Sequence, residues 1–123
     1  RFKGFVAPAN LRAITADAAV GLTLFETNGK SNYYSLANRF FDYMHAGVPQ
    51  VCNAYPEYLK INAQFPLALL IESPTAALIA EAVNSILKDA TLAKQLHEGA
   101  LAAREVYNWQ EEEKKLVQIY NRL

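Results

Sequence analysis

The sequence predicts an α/β protein: a parallel sheet flanked by helices, with two additional helices at its C-terminal end. Three observations carry that expectation. Apolar runs of strand length alternate with segments of helical spacing along the first 89 residues. One of those runs, Ala18–Phe25 ("AAVGLTLF"), is continuously apolar, as in a strand covered on both faces. The composition, 52% hydrophobic and 20% charged over 123 residues, suits one domain with a real core.

The elements follow in order. Arg1–Val6 places Phe2 and, after Gly4, Phe5-Val6 in the pattern of a short strand. Pro8 opens a helix over Ala9–Ala16, with Leu11, Ile14 and Ala18 at helical spacing. After the apolar run, Glu26–Tyr34 ("ETNGKSNYY") is polar, contains Asn-Gly and reads as a loop. A helix is predicted from Ser35, as its N-cap, to about His45, ended by Gly47 and Pro49. Pro49–Asn53 is a short strand, Pro56 opens a helix to about Ala63, and Leu67–Glu72 ("LALLIE") is another buried strand. Ser73-Pro74 starts a helix to about Asp89 with Leu78, Ile79, Ala82, Val83, Ile86 and Leu87 on one face. Thr91 opens another to about Tyr107. The last starts at Asn108, with Glu111 at capping-box spacing. No repeat, low-complexity stretch or interdomain linker interrupts the pattern. The chain begins at Arg1 inside an apolar alternation, and it reads as a piece of a longer protein.

Several functions are excluded at this stage. Twelve basic and twelve acidic residues cancel, so no basic field argues for nucleic acid or an anionic membrane. No apolar run approaches the roughly 20 residues that span a bilayer. There is no Walker A, G-x-G-x-x-G or G-x-S-x-G pattern. His45 and His97 are far apart and the one cysteine, Cys52, stands alone, so no metal site is expected. His97 reads as a solvated surface residue and Cys52 as a packing residue in a strand. The single cysteine fits a reducing compartment. Glu111, Glu112 and Glu113 match the dipole of a helix start.

One constellation remains. In open parallel sheets, ligands bind beyond the carboxyl ends of the strands. Glu26 stands at such an end, and the loop after it leads to the start of the helix "SLANRFFDYMHAGVPQV". A helix N-terminus offers free N–H groups and partial positive charge, which suit phosphate. At about 100° per residue, Leu36, Ala37, Phe40, Phe41 and Met44 fill one arc. Asn38, Asp42 and His45 share the opposite arc, with Arg39 beside them. A diphosphate would then meet the first turn and Arg39, and Asp42 one turn on would accept two ribose hydroxyls. From the residues alone, a capped amphipathic helix with a solvated face explains the same pattern equally well.

"ADAAVGLTLF", "SLANRFFDYMHAGVPQV", "NAYPEY", "LALLIESPTAALIAEAVNSILKD" and "VYNW" resemble, in that order, the C-terminal half of group 1 glycosyltransferases of the GT-B fold. The resemblance spans almost the whole chain. It implies a Rossmann-like domain that binds a nucleotide-diphospho-sugar (UDP-, GDP- or ADP-linked). The sugar would pass, with retention and without a required metal, to a glycan or lipid-linked acceptor on an N-terminal domain. Asp42 matches the carboxylate that binds the donor ribose, where the family has Glu. Arg39 matches a basic position that pairs with the diphosphate, and Ser35 and Leu36 would offer it backbone N–H groups. Tyr34 stands where the family carries a second Glu near the sugar, and Glu26 would act in its place.

The resemblance also implies what the segment lacks. In the 3-2-1-4-5-6 strand order, Phe2–Val6 matches the third strand and the later three match the fourth to sixth. The first two strands and the acceptor domain are absent, so the chain alone is expected to be inactive. Its first strand is expected at an exposed edge or paired with a second copy. The parent enzyme would be cytoplasmic, or peripheral to the inner face of the membrane. Two alternatives are a nucleotide-sugar epimerase of the same fold and a non-catalytic nucleotide-binding or scaffolding domain.

Overall fold

The computed structural model describes residues 2–123. In chain order the elements are α1 (Pro8–Ala16), β1 (Gly21–Thr23), α2 (Lys30–Tyr33), α3 (Asn38–Ala46), β2 (Gln50–Asn53), α4 (Pro56–Gln64), β3 (Ala68–Ile71), α5 (Ala76–Lys88), α6 (Ala90–Arg104) and α7 (Trp109–Asn121). The strands form one parallel sheet in the order β1-β2-β3. Gly21 lies opposite Gln50, and Thr23 opposite Cys52. Gln50 in turn lies opposite Ala68, and Asn53 opposite Ile71. The protein is therefore α/β, a parallel sheet with helices on its faces and two more helices after α5. Among the described residues no helix is long and apolar enough to cross a membrane.

All four residues of β2 are buried, as befits the central strand of a sheet covered on both sides. Cys52 faces a core of Phe40 and Met44 from α3, Tyr58 and Ile61 from α4, and Ala100 and Ala103 from α6. Val51 faces the other, built with Ile71, Ala82, Ile86 and Leu96. The long helix α6 reaches both clusters and so holds the two faces together. Burial pushes the Cys52 thiol up to about 12, against a hydrogen bond with Thr23 that lowers it.

Two glycines are required by this packing. Gly47 ends α3 at φ +71, in the left-handed region. Gly99 on α6 rests directly on the Pro66–Leu67 backbone, where a Cβ would overlap the Pro66 carbonyl.

Several sequence expectations are corrected. The strand expected over Arg1–Val6 is not formed in residues 2–6, and Arg1 lies outside the described residues. Gly4 turns the chain at φ +67 and Phe2 and Phe5 are exposed; a strand needs a hydrogen-bonding neighbour, and this segment has none in the sheet. No edge strand is therefore offered there; the sheet edges are β1 and β3. The run Ala18–Phe25 yields a strand only over Gly21–Thr23, with Leu22 exposed, because an edge strand is covered less than a central one. The expected loop Glu26–Tyr34 contains α2.

Helix starts also move. α3 begins at Asn38 behind Ala37, which has no side chain to cap it. Ser35, the expected cap, turns its hydroxyl to the Asn32 carbonyl at 3.3 Å. Thr75 and Asp89 cap α5 and α6 by accepting from the N–H groups of Leu78 and Leu92. Asn108 caps α7 by accepting from Glu111 N–H at 2.9 Å, at the position the sequence indicated.

Gly99→Ala should lower stability by about 1–3 kcal/mol despite alanine's better helix propensity, because the clash is with backbone. The urea midpoint reads this directly; an unchanged midpoint would mean that α6 does not sit on Pro66. The Cys52 thiol gives an alkaline prediction. Its folded value lies above the 9.0 of a free thiol, so over that window the unfolded chain releases a proton that the native state keeps. Stability is then fully present below pH 9.0 and falls as pH rises toward about 12. Cys52→Ala should shallow that decline.

Candidate functional site

The carboxyl ends of β1 and β2 meet the start of α3, and polar side chains without charge fix the junction. Asn53, fully buried at the end of β2, donates to the Phe25 carbonyl and accepts from the Phe25 N–H, both at 3.0 Å. That double bond to backbone holds the chain leaving β1. Gln50, at the start of β2, accepts from the Thr23 hydroxyl at 2.9 Å and donates to the Phe40 carbonyl at 2.9 Å. It ties β1 and α3 to the same strand. Tyr58 on α4, also fully buried, accepts from the Ala37 N–H at 3.0 Å. Burial raises its phenol above the ordinary tyrosine value, and the bond from Ala37 opposes that rise.

The start of α3 is thus held from below and open above. Tyr58 takes the N-cap amide, Ala37 offers no capping oxygen, and the next amides, Asn38 and Arg39, have no partner earlier in the helix. Arg39 is exposed and lies over the Phe25 ring, its Cζ 5.9 Å from the centroid. It forms no ion pair within the described residues. Asp42, one turn on, is exposed and lines a groove between α1 and α3 of about 810 Å³. Leu11, Arg12 and Thr15 of α1 form the facing wall.

The other residues singled out in the sequence are placed differently. Asn38 opens α3 and is exposed. Leu36 is half-buried against the core. The N–H of Ser35 is directed at the Asn32 carbonyl, so the amides open at this helix start are those of Asn38 and Arg39. Tyr34 is 68% exposed after α2 and meets Tyr33 edge-on at 4.8 Å. Glu26 is exposed beyond β1. Neither Tyr34 nor Glu26 shares a side-chain hydrogen bond or ion pair with Arg39 or Asp42.

Both histidines serve the fold. His45, on the polar arc of α3, places Nε2 2.8 Å from the Tyr107 carbonyl, and Arg104 donates to the His45 carbonyl at 3.2 Å. His97, read from sequence as a solvated residue, brings Nδ1 within 2.6 Å of the Gly47 carbonyl. A carbonyl only accepts, so both imidazoles donate here. His97 and Arg104 thus supply donors to carbonyls at the C-terminus of α3, and Arg104 also positive charge. Among the described residues no group of His, Cys, Asp and Glu side chains is placed to hold a metal ion.

Sequence reasoning passed over Gln50, Asn53, Tyr58 and Arg12. A signal existed for the first two: they bracket the apolar pair Val51-Cys52, and a polar residue inside a central strand needs a buried partner. Nothing local marks Tyr58 or Arg12, which matter through contacts made across the fold.

Comparison with protein-family models, curated proteins and solved structures finds no match to this chain.

Tyr58→Phe removes the acceptor of the Ala37 N–H and should cost about 1–3 kcal/mol. Amide exchange should speed up in the first turn of α3 before any other helix responds. Uniform acceleration across the protein would show that Tyr58 is a packing residue alone.

Proposed function

We propose that this chain is the donor-binding part of a retaining glycosyltransferase, transferring a sugar from a nucleotide-diphospho-sugar to a glycan or lipid-linked acceptor. The observation that carries the reading is one stretch of α3. An uncapped helix start lies beyond the carboxyl ends of parallel strands, Arg39 stands beside it, and Asp42 faces a groove one turn below. A diphosphate suits the free amides of Asn38 and Arg39, and the Arg39 guanidinium can hold two of its oxygens. From Asn38 to Asp42 the helix rises about 6 Å, the scale of the step from a diphosphate to its ribose. The Asp42 carboxylate accepts from two neighbouring hydroxyls.

In transfer, negative charge gathers on the departing phosphate. Arg39 and the helix start stabilise that charge without a metal. Glu26 is the carboxylate assigned to the sugar end, because Tyr34 occupies the position the family gives to Glu. The parent fold is then GT-B, with the acceptor held by a separate N-terminal domain, and the enzyme works in the cytoplasm or at the inner face of the membrane. The short sheet order β1-β2-β3 supports this as the fourth to sixth strands of a Rossmann-like sheet. One observation favours a second reading, nucleotide binding without transfer: the exposed Tyr34 brings no carboxylate to the sugar.

Asp42→Ala should weaken binding of nucleotide diphosphates about tenfold or more, while leaving the circular dichroism and urea midpoint unchanged, because the residue is exposed. Titration calorimetry measures it. Equal affinity of the two proteins would remove the ribose role. Arg39→Ala should weaken nucleotide-diphosphate binding and, in the enzyme joined to its acceptor domain, lower sugar transfer by more than that weakening; a loss of binding with no sugar transfer in either protein would leave binding alone as the function.

A further inference from the structure

The groove beside Asp42 has a second wall, and its chemistry differs from the first. α1 contributes Leu11 and Arg12 opposite Phe41 and Asp42 of α3. At about 810 Å³ the space is within the range that takes a small ligand. Arg12 is exposed and makes no ion pair with Asp42 or any other carboxylate within the described residues. Its donors are therefore free, although an acid lines the same groove.

We propose that this groove receives the base of the nucleotide and that Arg12 selects guanine. The inference rests on the donor-binding reading above. With the diphosphate at the start of α3 and the ribose on Asp42, the base continues away from the helix start, between α1 and α3. Leu11 and Phe41 offer apolar surface to the faces of a flat ring. Recognition then falls to the ring edge. The guanidinium is a planar fork that only donates. Guanine presents two adjacent acceptors, O6 and N7, that match such a fork with two parallel bonds. Adenine sets an amino donor beside N7, so one arm of the fork meets another donor. Uracil separates its two carbonyls by a ring N–H, which also opposes the fork. His45, at the same groove, has its Nε2 held on the Tyr107 carbonyl, so that nitrogen is not available to the ring edge.

Calorimetric titration of the protein with GDP, UDP and ADP tests this, in the wild type and in Arg12→Ala and Arg12→Lys. GDP should bind about tenfold or more tighter than UDP and ADP. Arg12→Ala should bring GDP down to the level of the other two and leave those two unchanged. Arg12→Lys should fail to restore the preference, because a point charge cannot make the paired bonds. Equal binding of the three nucleotides, or an equal loss of all three in Arg12→Ala, would overturn the base assignment while leaving the donor-binding reading intact. No binding of any nucleotide to the wild type would overturn both.

Discussion

Gln50 accepts from Thr23 and donates to the Phe40 carbonyl, so one fully buried amide fixes an edge strand and a helix to the central strand. The sheet has three strands, each of three or four residues. Backbone ladders that short leave much freedom in how β1 and α3 sit. A buried amide removes that freedom, since each of its polar atoms costs about 1–3 kcal/mol if left without a partner. Asn53 does the same for the chain leaving β1, and Tyr58 for the chain entering α3. Among the described residues no buried side-chain nitrogen or oxygen is left unbonded. The candidate site therefore sits on a frame whose polar contacts are complete, and its exposed groups are the ones free to meet a ligand.

The same logic holds the far end of α3. His45, His97 and Arg104 connect its last turn to α6 and to the junction before α7. Gly47 allows the tight left-handed turn that brings its carbonyl to His97. Both ends of α3 are thus set by residues distant in sequence, and the helix is a rigid strut rather than a frayed segment. A rigid strut matters for the function proposed here, since Arg39 and Asp42 must keep their spacing to hold the two ends of one ligand.

The C-terminal helix behaves differently. None of its residues is buried, and Trp109, Leu116, Val117, Ile119 and Tyr120 are exposed. Its helix is supported locally, by the Asn108 cap and the pairs Glu111–Lys114 and Glu112–Lys115. Exposed pairs of this kind contribute little each. The contrast shows where the stability of this protein resides: in the two cores around β2, not in its last helix.

Local pattern along the chain is enough to set the α/β class, three of the four expected strands with their parallel pairing, every helix but α2, and the cap of α7. These follow from apolar period and from turn and cap residues, which act within a few positions along the chain. It also indicated the two arcs of α3: Phe40 and Met44 are buried, and Asn38 and Asp42 are exposed, as the helical period requires. Contacts across the fold settle what remains. Residues 2–6 lack a strand because pairing needs a neighbour that local pattern cannot supply. α3 starts two residues later than a Ser35 cap suggested, because Asn32 takes the Ser35 hydroxyl and Tyr58 takes the Ala37 amide. His97 is a fold residue because Gly47, fifty positions earlier, presents it a carbonyl. Arg12 joins the groove of Asp42 only because α1 packs on α3. Long-range partners of that kind are set by how the chain closes on itself, and a sequence pattern read in short windows carries no record of them.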